Sequence, residues 1–253
     1  MAVLTILKYV FLLLQLLNLK NALFAWHIRF WSLGIHHILS YYVPALRPKA
    51  QILHSSSSSR LFDAYTYNSQ ATLGDIDFYL HKSNSTYAAD LDCARFDFLM
   101  HHFRTFFSDP RFKGVYIPLA GISFVFKKQI DPFERYHINT RILTWDSKWL
   151  FLESRFVGLD GSVRAVGVSK YVFKKGRKTI PIQDVLSTSG LEVDVEGEKR
   201  REEKYKYAEA LLGLDDLLED QKENGAVEAN GFSAEKIAEG VRGENGVAKR
   251  IVA

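Results

Sequence analysis

Residues 75–90 read DIDFYLHKSNSTYAAD and gather side chains that can move protons or meet negative charge. Asp77 lies four residues before His81; Asn84 follows it by three and Tyr87 by six. A carboxylate and an imidazole this close can act in acid–base chemistry. The stretch leads into residues 84–107, which hold no Gly or Pro and end before Asp109-Pro110. That pattern predicts a long helix. A helix start leaves N–H groups without intrahelical acceptors and carries a positive partial charge. The stretch is therefore either a catalytic loop feeding a helix N-terminus or a polar turn whose side chains cap that helix.

The helix carries a second clue. Ala88, Asp92, Phe96, Leu99 and Phe103 step by four, four, three and four, so they share one stripe. Asp92 is the acid among apolar neighbours. Buried unpaired, it would cost several kcal/mol, so it must either line a wet pocket or find a donor, and Arg95 three residues on can reach it. Asp90, Asp97 and Arg104 lie seven apart on another face, expected to be a solvated edge. Cys93, the single cysteine, rules out an internal disulfide and reads as a small helix-packing residue.

The elements that must position these groups can be read along the chain. Residues 61–68 form a candidate strand before the helix. After it, Val115, Ile117 and Leu119 alternate, and the pattern slips by one at Ala120-Gly121 before Ile122, Phe124 and Phe126, which predicts a β-bulge. Alternation returns from Tyr136 to Thr144, and turns at 146–148 and 158–161 separate strands at 149–157 and 162–173. The order is strand, loop, long helix, then four strands expected in hairpin succession. It predicts an α+β layer design with an antiparallel sheet wrapped around the helix.

Composition divides the rest. Residues 1–62 contain no Asp or Glu, whereas the chain beyond Leu191 is rich in acids. From Val3 to Leu19 the sequence is almost wholly apolar, at the lower limit of length for a bilayer span. Trp26, Trp31, Tyr41 and Tyr42 then cluster with Arg29, His36 and His37, as at a membrane interface. We expect residues 1–45 to form a membrane-associated segment headed by a hydrophobic helix; a cleaved signal and a helix packed on a soluble domain are the competing readings. Residues 46–60, with HSSSSSR, read as a Ser-rich linker, 61–190 as the folded domain, and 191–253 as a charged, partly disordered, separable tail broken by Gly225 and the glycines after it.

The motif resembles the acyl-CoA thioesterase pattern D-x-x-x-H-x-N-N-x-x-Y, with Asp77, His81, Asn84 and Tyr87 in place and Ser83 where the first Asn usually stands. The likeness continues through Asp92, Ala94, Arg95 and Phe96. It is similar to the thioesterase superfamily member six-like group and to fungal thioesterases that accompany peptide or polyketide synthases. The resemblance implies a hotdog fold, a homodimer with pockets at its interface, and hydrolysis of an acyl-CoA or carrier-bound acyl thioester in lipid or secondary-metabolite biosynthesis, without a cofactor. On that reading, helix-start amides around Ser83, Asn84, Ser85 and Tyr87 meet substrate and its developing oxyanion. Asp77 serves as base or nucleophile, His81 orients it or anchors the loop, and Asp92 is a further catalytic or pocket residue. Tyr87 reads as core or pocket wall.

Other chemistries find no support. The chain has no G-x-S-x-G elbow, P-loop or dinucleotide glycine pattern. His36-His37 and His101-His102 are adjacent pairs that diverge on a helix, so no metal site is expected. The basic run 174–178 could meet coenzyme phosphates or be a solvated strand end, and scattered bases argue against nucleic acid. The competing function is a non-catalytic acyl-binding module; a hotdog dehydratase is a third reading. A membrane location, at the endoplasmic reticulum with the domain facing the cytoplasm, is the expected localisation.

Overall fold

The computed structural model describes residues 2–46, 52–53 and 60–229. The chain divides into two compact units, residues 1–208 and 209–253. The first unit opens with helix α1 (Ala2–Leu17) and, after a turn through Phe24 in the left-handed region, helix α2 (Ala25–Tyr42). Strands β1 (Ile52–Leu53) and β2 (Ala64–Gln70) follow, then the motif loop and helix α3 (Tyr87–His102). The predicted long helix is interrupted: a 3-10 turn covers Asn84–Thr86, and the chain leaves helical geometry at Phe103 before the short α4 (Arg104–Ser108).

Strands β3 (Leu119–Phe126), β4 (Arg135–Trp145), β5 (Trp149–Gly158), β6 (Val163–Lys175) and β7 (Lys178–Ile180) come next, then α5 (Ile182–Thr188). The sheet is antiparallel in the order β1-β2-β4-β5-β6-β3, with β7 on β6. The expected four-strand meander holds only for β4, β5 and β6. Strand β3 crosses to the far edge and pairs with β6, which leaves β4 free to pair with β2. Alternation specifies which face a residue takes, not which strand lies beside it, so the crossover had no local signal. The expected bulge is present, with the register slipping between Leu119 and Gly121.

Helix α3 lies across the sheet. Tyr87, Leu91, Ala94 and Phe98 are buried at helical spacing, the first three in a cluster with Ile138 and Phe156 and Phe98 in a second with Ile142 and Leu152. Gly167 on β6 permits the close approach: a Cβ there would meet Phe124 at 3.0 Å and Leu91 at 3.2 Å. This is the hotdog arrangement.

Two boundary expectations change. Residues 54–59 of the Ser-rich segment lie outside the described residues, but Ile52 and Leu53 within 46–60 pair with the sheet. The segment after Gly190 is not loosely attached: helix α6 (Val195–Ala229) bonds the domain through its first turns. Thr144 donates to the Arg201 carbonyl at 2.8 Å, Arg201 donates to the Trp145 carbonyl at 3.0 Å, and Tyr205 donates to Asp146 at 3.1 Å. The described part of the second unit is the continuation of α6 to Ala229, which runs through Gly225 where a break was expected. Residues 230–253 lie outside the described residues.

Candidate active site

The motif loop is a tight hairpin. Ile76 and Lys82 form a bridge pair, the Asp77 N–H donates to the His81 carbonyl at 3.0 Å, and the Leu80 N–H returns to Asp77. Leu80 takes a left-handed conformation to close it. Asp77 and His81 thereby meet, with 3.7 Å between a carboxylate oxygen and Nδ1, and both are partly open to solvent. The Tyr79 N–H donates to the same Asp77 oxygen at 3.0 Å. Phe78, Tyr79 and Leu80 stand exposed at the tip.

The loop is fastened to the start of the helix. The Ser83 N–H donates to the Asp75 carbonyl at 2.7 Å, and the Ser83 carbonyl receives the Thr86 N–H and hydroxyl. The Ser83 hydroxyl contacts that of Ser85 at 3.0 Å and makes no cap bond to the backbone. Asn84 and Ser85 occupy the exposed first turn, where N–H groups lack intrahelical acceptors. Tyr87 is buried against Phe126 and Phe156, as core; burial and then Glu134 push its hydroxyl up to about 12. Asp92 sits elsewhere. It pairs with Arg95, whose other arm donates to Ser169 at 2.6 Å, and it lines a cavity whose wall includes neither Asp77 nor His81. Asp77 and His81 are brought together on the loop that is fastened to the helix start; Asp92 does not join them.

The charges beneath the loop are the residues that sequence reasoning missed. Asp75, Lys82 and Asp90 are almost fully buried. Lys20, from the connection between α1 and α2, donates to Asp75 at 2.9 Å and to Asp90 at 2.7 Å. Lys82 donates to Asp90 at 3.0 Å, Arg29 donates to it at 3.1 Å, and the Tyr136 hydroxyl completes its shell. Burial alone would raise the Asp90 carboxyl, but Lys82 and Lys20 reverse this and hold it well below the usual range; Asp75 shifts the same way. Burial pulls the Lys82 ammonium down, with Asp90 opposing. Burial and then Asp90 hold the Tyr136 hydroxyl in its protonated form. Lys82 stands between His81 and Ser83, so this ionic cluster fixes the loop from below.

The expected solvated edge of the helix is thus a docking face. Asp90 meets Arg29, Asp97 meets His37 at 2.6 Å, and Arg104 donates to Ser40 at 3.0 Å. Helix α2 runs alongside α3 and covers these groups. Arg29 and His37, which the sequence placed at a membrane interface, turn inward to the domain. The absence of acids before residue 63, opposite an acid-bearing helix face, was the available signal.

A sequence profile of the thioesterase-like superfamily matches residues 71–189, spanning the loop, α3 and the sheet. The protein named probable thioesterase YBR096W from Saccharomyces cerevisiae is 33% identical over 195 residues, covering 76% of this chain and 83% of that one. The protein named probable thioesterase atnL from Emericella nidulans is 29% identical over 263 residues, covering 88% of this chain and 83% of that one. Protein THEM6 from Xenopus laevis is 33% identical over 112 residues, 44% of this chain and 53% of its own. The chain belongs to the thioesterase-like superfamily.

Proposed function

We propose that the protein hydrolyses acyl thioesters of coenzyme A or of a carrier protein, made in lipid or secondary-metabolite assembly, with Asp77 as the reactive carboxylate. The carrying observation is the Asp77–His81 contact at the mouth of the hairpin, beside the open first turn of the helix. Asp77 takes a proton from water, whose oxygen adds to the thioester carbonyl. The oxyanion then rests against the amides of Asn84 and Ser85 in the first turn. Collapse breaks the C–S bond, and the thiolate leaves with the proton, yielding a carboxylic acid and a thiol. His81 orients the carboxylate.

The test is thiol release from acyl-CoAs of graded length, comparing wild type with Asp77→Asn. We expect kcat to fall by at least about 10²-fold with little change in KM. Near-normal turnover in the variant sinks the assignment. The Tyr79 N–H bond to Asp77 favours a second reading, an acyl-binding module in which Asp77 only shapes the loop. Acyl-CoA binding without turnover on any thioester would select it.

The same reading places the protein on a membrane surface as a homodimer. Among the described residues no helix is long and apolar enough to cross a membrane. Helix α1 exposes Val3, Leu7, Phe11 and Leu14, and α2 turns Ile28, Trp31, Ile35 and Leu39 outward, which suits a segment lying in the interface. Strand β3 is an edge strand that exposes Leu119, Val125 and Phe126, an edge suited to pairing with a second copy.

A further inference from the structure

Helix α2 does not close fully onto α3 and α4. Two cavities occupy the gap, and both are walled by Ile38, Met100 and Phe107. The larger, about 600 Å³, is apolar, with Trp26, Phe30, Phe96 and Ile117 on its wall; Asp92 there is already paired with Arg95. The smaller, about 340 Å³, is lined by His37, Tyr41, Tyr42 and Arg104. Two polar atoms there are buried without a hydrogen-bond partner, Nδ1 of His37 and Nη2 of Arg104. His37 is 4% exposed, and its other nitrogen is taken by Asp97. Arg104 holds only a hydroxyl, that of Ser40, and the Tyr41 ring; no carboxylate pairs with it among the described residues.

Arg104 is half-buried, but its Nη2 is closed off from solvent and faces this cavity without an acceptor, an arrangement that favours an anion supplied from outside. One ligand shape fits the gap: an anionic head that accepts from Arg104 beside His37, and an apolar chain passing Ile38, Met100 and Phe107 into the larger cavity. We propose that the cleft between α2 and α3 is a binding site for a single-chain carboxylate, a free fatty acid, distinct from the Asp77 loop. A planar carboxylate matches the guanidinium fork. The choice of a carboxylic acid rests on the hydrolase reading, since that reaction releases one; the anion site itself rests on Arg104.

The experiment titrates the full-length protein in detergent with palmitate, hexadecanol and hexadecyl phosphate by calorimetry. Palmitate should bind at least about tenfold more tightly than hexadecanol, the scale of hydrogen bonds to a charged group. Arg104→Met should erase that preference and leave hexadecanol unchanged. Non-specific uptake by α1 would treat acid and alcohol alike and ignore Arg104. Ile38→Trp, at an exposed position that fills the passage, should weaken all chains together and serves if Arg104→Met does not fold. Equal binding of acid and alcohol by wild type, or a preference that survives Arg104→Met, overturns the proposal. Binding of hexadecyl phosphate without palmitate overturns the carboxylate assignment. Asp77→Asn should bind palmitate normally, so loss of turnover and loss of this site are read separately.

Discussion

Asp90→Asn tests whether buried charges hold the 75–83 loop in place. The carboxylate accepts from Lys20, Lys82, Arg29 and Tyr136 and is fully buried. Asparagine keeps the shape but removes the charge and turns donor hydrogens toward ammonium groups. Lys82, 1% exposed, then has only Asp75 at 3.4 Å to offset its charge. Removing one partner of a buried ionic cluster costs about 3–5 kcal/mol. At about 2–4 °C per kcal/mol for a domain of this size, Tm should fall by about 6–20 °C. Differential scanning calorimetry of the purified protein reads it. Adding Lys82→Met should recover part of the loss, because the stranded cation goes with it; the coupling comes from the double-mutant cycle. A single-variant shift under about 2 °C, or strict additivity in the cycle, would refute the view that these charges are desolvated and mutually dependent.

Other outcomes follow from the same structure. Burial, then His101, pushes His102 down to about 4, and Lys82 with Lys20 holds Asp75 and Asp90 below their usual range. In each case the unfolded chain binds protons more readily, so stability is full at neutral pH. It should decline between pH about 6.5 and 4 as His102 titrates and again below about 4, read as urea midpoints. Gly167→Ala places a methyl 3.0 Å from Phe124 and should cost about 1–3 kcal/mol by the same denaturation assay. A chain ending at Gly190 loses the Arg201 and Tyr205 bonds and should melt several degrees lower, whereas one ending at Ala208 retains them.

What could be read in the sequence was local. The D-x-x-x-H spacing, the Asp92–Arg95 pair three residues apart and the slip at Gly121 each depend on neighbours within a few positions, and each stands in the structure as spacing dictates. What failed depended on partners far along the chain. The crossover of β3 to β6 joins residues 39 to 52 positions apart, and alternation is blind to it. The stripe Asp90, Asp97, Arg104 has the period of a solvated helix edge, and nothing within the helix distinguishes that from a face awaiting opposite charge. The distinction lies in Lys20, Arg29 and His37, sixty to seventy residues upstream, in a segment whose apolar composition drew attention away from its few cations. Those cations have an energetic consequence that composition hides. An apolar helix pair alone can slide on an apolar face, but three polar contacts spaced about two helical turns apart along α3 and α4 fix its register. The register in turn places Lys20 beneath the Asp75–Lys82 hairpin that carries Asp77 and His81. The N-terminal segment therefore helps hold the loop that carries Asp77 and His81, and on the proposed function removing residues 1–45 as a dispensable anchor should impair turnover as well as any attachment to membranes.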